Sequence, residues 1–144
     1  MNAAYTLGRI FLSLIFVVSG VQKLMDIGGI AKILEDAKVP IPDQAVTYLA
    51  QYTPMPKYEA LGYLVAGVEL LGGLMVLVGL KARWGAVLLI IFSVATVYFI
   101  HHFWDMTGAA FNDNLSQALK NLSIIGGLML VFAVGSGPGA MDRR

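Results

Sequence analysis

"LGYLVAGVELLGGLMVLVGL", residues 61–80, is a run of almost unbroken apolar side chains with one carboxylate, Glu69, near its middle. At 1.5 Å per residue, twenty helical residues cover about 30 Å, the hydrocarbon thickness of a bilayer. Three other stretches share this length and character: YTLGRIFLSLIFVVSGVQKL (5–24), WGAVLLIIFSVATVYFIHHFW (84–104) and LSQALKNLSIIGGLMLVFAVG (115–135). Lipid offers the backbone no hydrogen-bond partners, so each stretch is expected to be a helix that satisfies itself. The expected fold class is all-α, an integral membrane four-helix bundle.

Composition agrees. The chain has 144 residues, 58% hydrophobic and 13% charged, with mean hydropathy +0.74. A soluble domain carries about 25% charge. The length suits a single membrane domain over 1–144. A soluble all-buried bundle would show polar helix faces that these segments mostly lack. The formal charge of +1, with no Lys/Arg cluster, argues against a nucleic-acid partner. There is no cysteine, which excludes disulfides, cysteine-ligated iron–sulfur clusters, a redox CxxC and c-type haem attachment. Electron chemistry would then need a bound ligand or a partner chain. The first segment has a basic residue, Arg9, before its apolar core, as a signal peptide does. Lys23 and Asp26 stand where a cleavage site needs small residues, so it reads as a retained helix.

The connections differ in length. "KAR" (81–83) can only close an antiparallel hairpin. "DMTGAAFNDN" (105–114) joins the third and fourth segments, while the link from the first to the second runs from about residue 25 to 60. Inside it, GGIAKILEDAK (28–38) places Ile30, Ile33, Leu34 and Ala37 at helical spacing, and PDQAVTYLAQY (42–52) opens with the helix-start pair Pro42 and Asp43. Two short amphipathic helices at the membrane surface are expected; a link folded back over the bundle mouth fits the same pattern. Lys81, Arg83, Arg143, Arg144 and Arg9 fall on the side of the termini. Lys32, Lys38 and Lys57 are diluted along the long link on the other side. Short-loop basic density then predicts both termini in the cytoplasm, in an inner or plasma membrane.

Arg9, Ser13, Phe16, Gly20 and Lys23 recur at spacings of four and three, as do Gly62, Ala66, Glu69 and Gly73. Each set forms one helix stripe of small residues and a charge, and the two stripes are expected to face each other. A charge at the bilayer centre costs about 2.5–3.5 kcal/mol even on lenient scales, so Glu69 should turn inward and find a partner or a proton. Helical side chains lean toward the helix N-terminus, so Lys23 and Glu69 lean toward each other from a depth separation of roughly 10 Å. Lys23–Glu69 is therefore the expected structural pair, while Arg9 leans away. The rival readings are a snorkelling Lys23 and a neutral Glu69 bonded to a hydroxyl or amide.

Further polar groups collect at the same end: Gln22, Asp26, His101, His102, Trp104, Asp105, Gln117, Lys120 and Asn121. The plain explanation is that helix ends meet headgroups, with Trp104 an interface anchor. On a continuous helix His101 and His102 point about 100° apart, so no metal site is expected. One of them is a candidate for proton exchange near neutral pH. Tyr63, Trp104 and Asn121 are candidate rim residues of a ligand site holding Glu69, Lys23 and one His.

In order along the chain, LGRIFLSLIFVVSGVQKL, VELLGGLMVLVGL, the His-bearing end of the third segment, ALKNLSIIGGLML and the closing GPGAMD resemble the DoxX family of small four-helix membrane proteins. That family is similar in layout to a subunit of thiosulfate–quinone oxidoreductase. The resemblance implies a membrane oxidoreductase subunit that binds a quinone or similar amphipathic ligand, none of it covalently attached. Glu69 and His101 or His102 would be the catalytic proton-handling groups, and a soluble or membrane redox partner protein would supply electrons. Two other classes fit the residues: a scaffold or accessory subunit whose polar core only fixes packing, and a small lipid- or solute-handling transporter. Membrane lipids are implied as partners throughout, and a homo-oligomer is compatible with each.

Overall fold

The structure, a computed structural model, describes residues 2–142. Its elements are α1 (Asn2–Met25), α2 (Ile27–Asp36), α3 (Asp43–Tyr52), α4 (Lys57–Val78), α5 (Ala82–Phe99), one 3-10 turn (Phe103–Asp105) and α6 (Gly108–Val134). Four of these described helices, α1, α4, α6 and α5 with its following turn, are long and apolar enough to cross a membrane. The fold is thus an all-α membrane bundle with two short helices between its first and second spans. Arg143 and Arg144, used above for orientation, lie outside the described residues.

Two boundaries differ from the sequence reading. The third span was expected as one helix over 84–104, but α5 ends at Phe99. The N–H groups of Ile100 and His101 both turn back onto Thr96 O, at 2.9 and 3.2 Å, and close the helix. His101 and His102 therefore sit in a non-helical link, and the helical angle between them does not apply. The fourth span begins at Gly108 rather than 115 because the polar run "AAFNDN" continues the helix. At 27 residues, α6 is about 40 Å long, so its first turns project past a hydrocarbon layer of about 30 Å.

The spans form a ring in the order α1, α4, α5, α6. The two stripes meet: Arg9, Ser13, Phe16 and Gly20 of α1 and Gly62, Ala66, Glu69 and Gly73 of α4 are all buried. The contact is backbone-close. A Cβ on Gly20 would stand 3.0 Å from Leu70 N, and one on Gly73 3.0 Å from Phe16 Cβ. Between α4 and α5, a Cβ on Gly72 would stand 2.8 Å from the Leu89 side chain, and one on Gly85 2.8 Å from Met75 Cβ. Such approaches supply the dispersion contact that holds helices together in lipid, where no hydrophobic force acts between them. Phe16, Val76, Ala86, Leu89, Leu128 and Val131 make the core. The seam between α1 and α6 is much less packed than the other three.

The end of the bundle that carries both termini is tied by polar contacts. Arg9 is 2% exposed, and its Nη1 donates to Val76 O and, at 2.8 Å, to Leu77 O. These are last-turn carbonyls of α4 at the negative end of its dipole, and Val76 O accepts in addition from the C-cap N–H of Gly79 at 3.3 Å. Gly79 follows at φ +71°, and a Cβ there would lie 2.5 Å from Ala140 Cβ. Residues 135–142 fold over this turn. Met141 N donates to Val78 O at 2.9 Å, and Asp142 Oδ2 accepts from Lys81 N at 2.6 Å and from Ser136 Oγ at 2.9 Å.

At the opposite end, the mouth, α2 lies across the bundle and packs on α4. Asp26 caps it, with Oδ1 accepting from Gly29 N at 3.0 Å. Of the apolar positions read from the sequence, Leu34 is buried, and Ile30 and Ile33 line the space below, with Ile33 also exposed on its outer side. This is the arrangement of a link folded over the mouth. By contrast, α3 touches α4 only lightly and leaves Tyr48 and Tyr52 exposed with their rings 4.7 Å apart.

Candidate functional site: a roofed cavity between the helices

Below α2 the spans diverge around a cavity of about 570 Å³. Its walls are mostly apolar: Phe16 of α1, Val65 of α4, Phe92 and Phe99 of α5, and Ile124 of α6, with Leu34 of α2 in the roof. The volume lies in the usual range for small-molecule sites, roughly 300–1,000 Å³.

Lys23 and Glu69 are in the wall. Lys23 Nζ stands 2.6 Å from Glu69 Oε2 and also donates to Ser19 Oγ, one turn back on α1. Side-chain exposures of 21% for Lys23 and 5% for Glu69 place the pair at the cavity surface, out of bulk water. Lys23 Nζ also lies 5.9 Å from the centroid of the Phe92 ring, within cation–π range. An ammonium has three N–H donors. Two are given to Ser19 and Glu69, and the third has no acceptor among the described residues. Glu69 Oε1 likewise receives no hydrogen bond from a described residue. Ser19, the second partner of Lys23, was not picked out from the sequence; its i, i+4 spacing to Lys23 is the signal that marks it.

His101 lines the cavity and His102 does not. His101 Nδ1 is 3.0 Å from Asn114 Oδ1, and Asn114 Nδ2 donates to Ala110 O at 3.0 Å. With the amide nitrogen engaged, the network assigns Oδ1 as acceptor and the hydrogen to Nδ1, leaving Nε2 bare in the neutral ring. His102 turns away: its Nδ1 is 3.1 Å from Phe99 O and its Nε2 3.7 Å from Asp105 Oδ1. The end of α5 at Phe99 lets the two rings point to different sides. Among the described residues no three His, Asp or Glu side chains converge as metal ligands.

The expected rim residues divide. Asn121 is in the cavity wall with Gln117 and Lys120, all on α6. Tyr63 and Trp104 are outside it, 48% and 55% exposed. Tyr63 follows Gly62, which packs toward α2, so its side chain points off the α4 stripe. Trp104 sits in the 3-10 turn, 6.0 Å ring to ring from Tyr98 and 5.4 Å from Phe103, as part of an aromatic cluster on the mouth surface.

Comparison with known proteins fits this architecture. A family model described as DoxX matches residues 4–102, which include nearly all of α1, both short helices, α4 and α5. Inner membrane protein YphA of Escherichia coli (strain K12) is 32% identical over 139 residues, covering 96% of this chain and 87% of that protein. No solved structure matches. The chain is an integral membrane protein and belongs to the DoxX family.

Proposed function

We propose that this protein is a membrane oxidoreductase subunit that holds a quinone, or an amphipath of the same build, in the cavity under α2. The observation that carries the reading is the division of the cavity: one apolar chamber with the Lys23–Glu69 pair, His101, Gln117, Lys120 and Asn121 in its wall. A ring-and-tail ligand needs an apolar sleeve and a few polar contacts for its head. A bound quinone would take up two electrons, delivered by a reduced partner protein, and two protons. The spare N–H of Lys23 can donate to a head-group carbonyl oxygen. Glu69 Oε1 and His101 Nε2 are the two uncommitted basic atoms in the wall, suited to hold and pass a proton. Both termini are placed in the cytoplasm, because Lys81 and Arg83 concentrate positive charge in the short α4–α5 turn. Arg9 adds nothing to that count, being buried as the α4 cap.

Solvent extraction of protein purified in mild detergent, followed by mass spectrometry, tests the ligand. A quinone retained by the protein and lost from Glu69→Gln and Lys23→Met supports the reading. Phospholipid alone, with no rise in melting temperature on adding a short-chain quinone, removes it.

A further inference from the structure

The cavity is roofed by α2 at the mouth and closed by α4 and α5 on two sides, yet its wall continues onto the membrane face of the protein. The break is at the α1–α6 seam. Toward the termini this seam is shut: Tyr5 OH donates to Gly135 O, Thr6 Oγ1 to Pro138 O at 2.9 Å, and a Cβ on Gly127 would stand 3.2 Å from Leu12. One turn further toward the mouth, the facing residues are Ile15 and Ile124, and both line the cavity. Ile15 is 51% exposed, so its side chain is reached from inside and from the lipid side.

A second feature meets this opening from outside. A shallow groove on the outer side of α6 is lined by Leu115 and Leu119 and by the polar Asn112, Ser116, Lys120 and Ser123. The polar positions are spaced by four, four and three, so they form one continuous stripe. If α6 leaves the hydrocarbon at Val134, about 20 residues span the layer, and the stripe runs from headgroup depth at Asn112 to roughly 12 Å inside at Ser123. Ser123 Oγ is satisfied within the helix by Leu119 O at 3.1 Å, so Lys120 is the group on this stripe that is costly against lipid tails and that fits a polar head group drawn down along it. Lys120 belongs to both spaces: it borders the groove outside and the cavity inside.

From these two features we infer that the ligand reaches the cavity sideways from the bilayer: down the α6 groove, past Lys120, and through the slot between α1 and α6 toward Lys23 and Glu69. The cargo class is a membrane-dissolved amphipath whose head carries hydrogen-bond-accepting oxygens for the two lysines and whose tail stays in lipid while the head is inside. The inference rests on the cavity being the ligand site proposed above.

The chain has no native cysteine, so one introduced thiol reports the route without background. Thr96 lines the cavity from α5, across from the slot, and Thr96→Cys is a small change that removes one methyl group and replaces the hydroxyl donating to Phe92 O with a thiol. In lipid nanodiscs, the Thr96→Cys protein is treated with a long-chain alkyl maleimide dissolved in the bilayer, or with a charged, water-soluble maleimide. Full labelling after denaturation and an unchanged melting temperature establish that the thiol is intact and the protein folded. The expected result is labelling by the alkyl reagent and none by the charged one. Adding Ile15→Trp, at the slot edge, should abolish that labelling. Leu14→Trp, on the neighbouring lipid-facing position outside the cavity, should leave it unchanged. Labelling from water, no labelling by either reagent, or labelling that ignores Ile15→Trp overturns the lateral route.

Pre-incubation with a short-chain quinone separates this inference from the ligand reading. Alkyl labelling that quinone does not block keeps the route and removes the quinone. Protection by quinone together with labelling from water keeps the quinone and removes the route.

Discussion

Lys23 Nζ and Glu69 Oε2, 46 residues apart in the chain, meet at 2.6 Å and join α1 to α4 at the wall of the cavity. Breaking a buried pair by removing one partner costs about 3–5 kcal/mol, because the other charge is stranded, while replacing both with apolar groups can be nearly neutral. Lys23→Met and Glu69→Gln are each expected to lower the melting temperature in detergent, and the double variant to recover much of the loss. Ligand retention should disappear in all three. A double variant that still retains ligand would reduce the pair to packing, and simple additivity would show that the two residues are uncoupled.

Arg9 should matter to stability without touching the ligand. It donates twice to α4 carbonyls, and hydrogen bonds from a charged group are worth about 1.5–3 kcal/mol each. Its Nε is buried without a partner, a cost of about 1–3 kcal/mol that Arg9→Met removes at the same time. The net loss for Arg9→Met therefore lies between about 0 and 5 kcal/mol, with a centre near 2–3 kcal/mol. Arg9→Lys should recover only part, since an ammonium is more strongly hydrated than a guanidinium and costs more to bury. Ligand retention measured below the melting transition should be unchanged.

The two histidines should separate in function. His101→Ala is expected to weaken ligand retention, because it removes a wall group and strands Asn114 Oδ1. His102→Ala should leave retention near the parent level, because that ring lies outside the wall. Quinone content per mole of purified protein measures both; equal effects would contradict the assignment of His101 alone to the cavity.

Orientation is tested by thiols at exposed positions. Cysteines replacing Lys38 or Asp43 should react with an impermeant reagent added to intact cells, and one replacing Arg83 should not. Ala82, in the same turn, is a poor probe because it is fully buried and would stay silent on either side. Reaction at Arg83→Cys and silence at Lys38→Cys would reverse the orientation.

Much of the architecture was legible in the residues because it depends on one element at a time. Span length follows from apolar run length against a fixed hydrocarbon thickness. The facing stripes of α1 and α4 follow from the 3.6-residue period, and the Lys23–Glu69 pair from the cost of an unpaired charge combined with the lean of helical side chains. The helix ends were less legible. "AAFNDN" is polar enough to read as loop, yet it continues α6, because a helix outside the hydrocarbon has no need of apolar side chains. His101 and His102 were separated by the closing turn at Thr96, which no periodicity marks.

The remaining features belong to the tertiary structure. Nothing in "LGRIF" indicates that Arg9 will meet the carbonyl end of a helix nearly 70 residues away, because orphan carbonyls occur at every helix end and only the packing decides which lies in reach. The cavity, its α2 roof and the open α1–α6 seam exist where packing between elements fails. A sequence records which faces attract, helix by helix, through transfer energy and periodicity. Where helices do not close on one another depends on the placement of all of them at once, and that was decided by the assembled bundle.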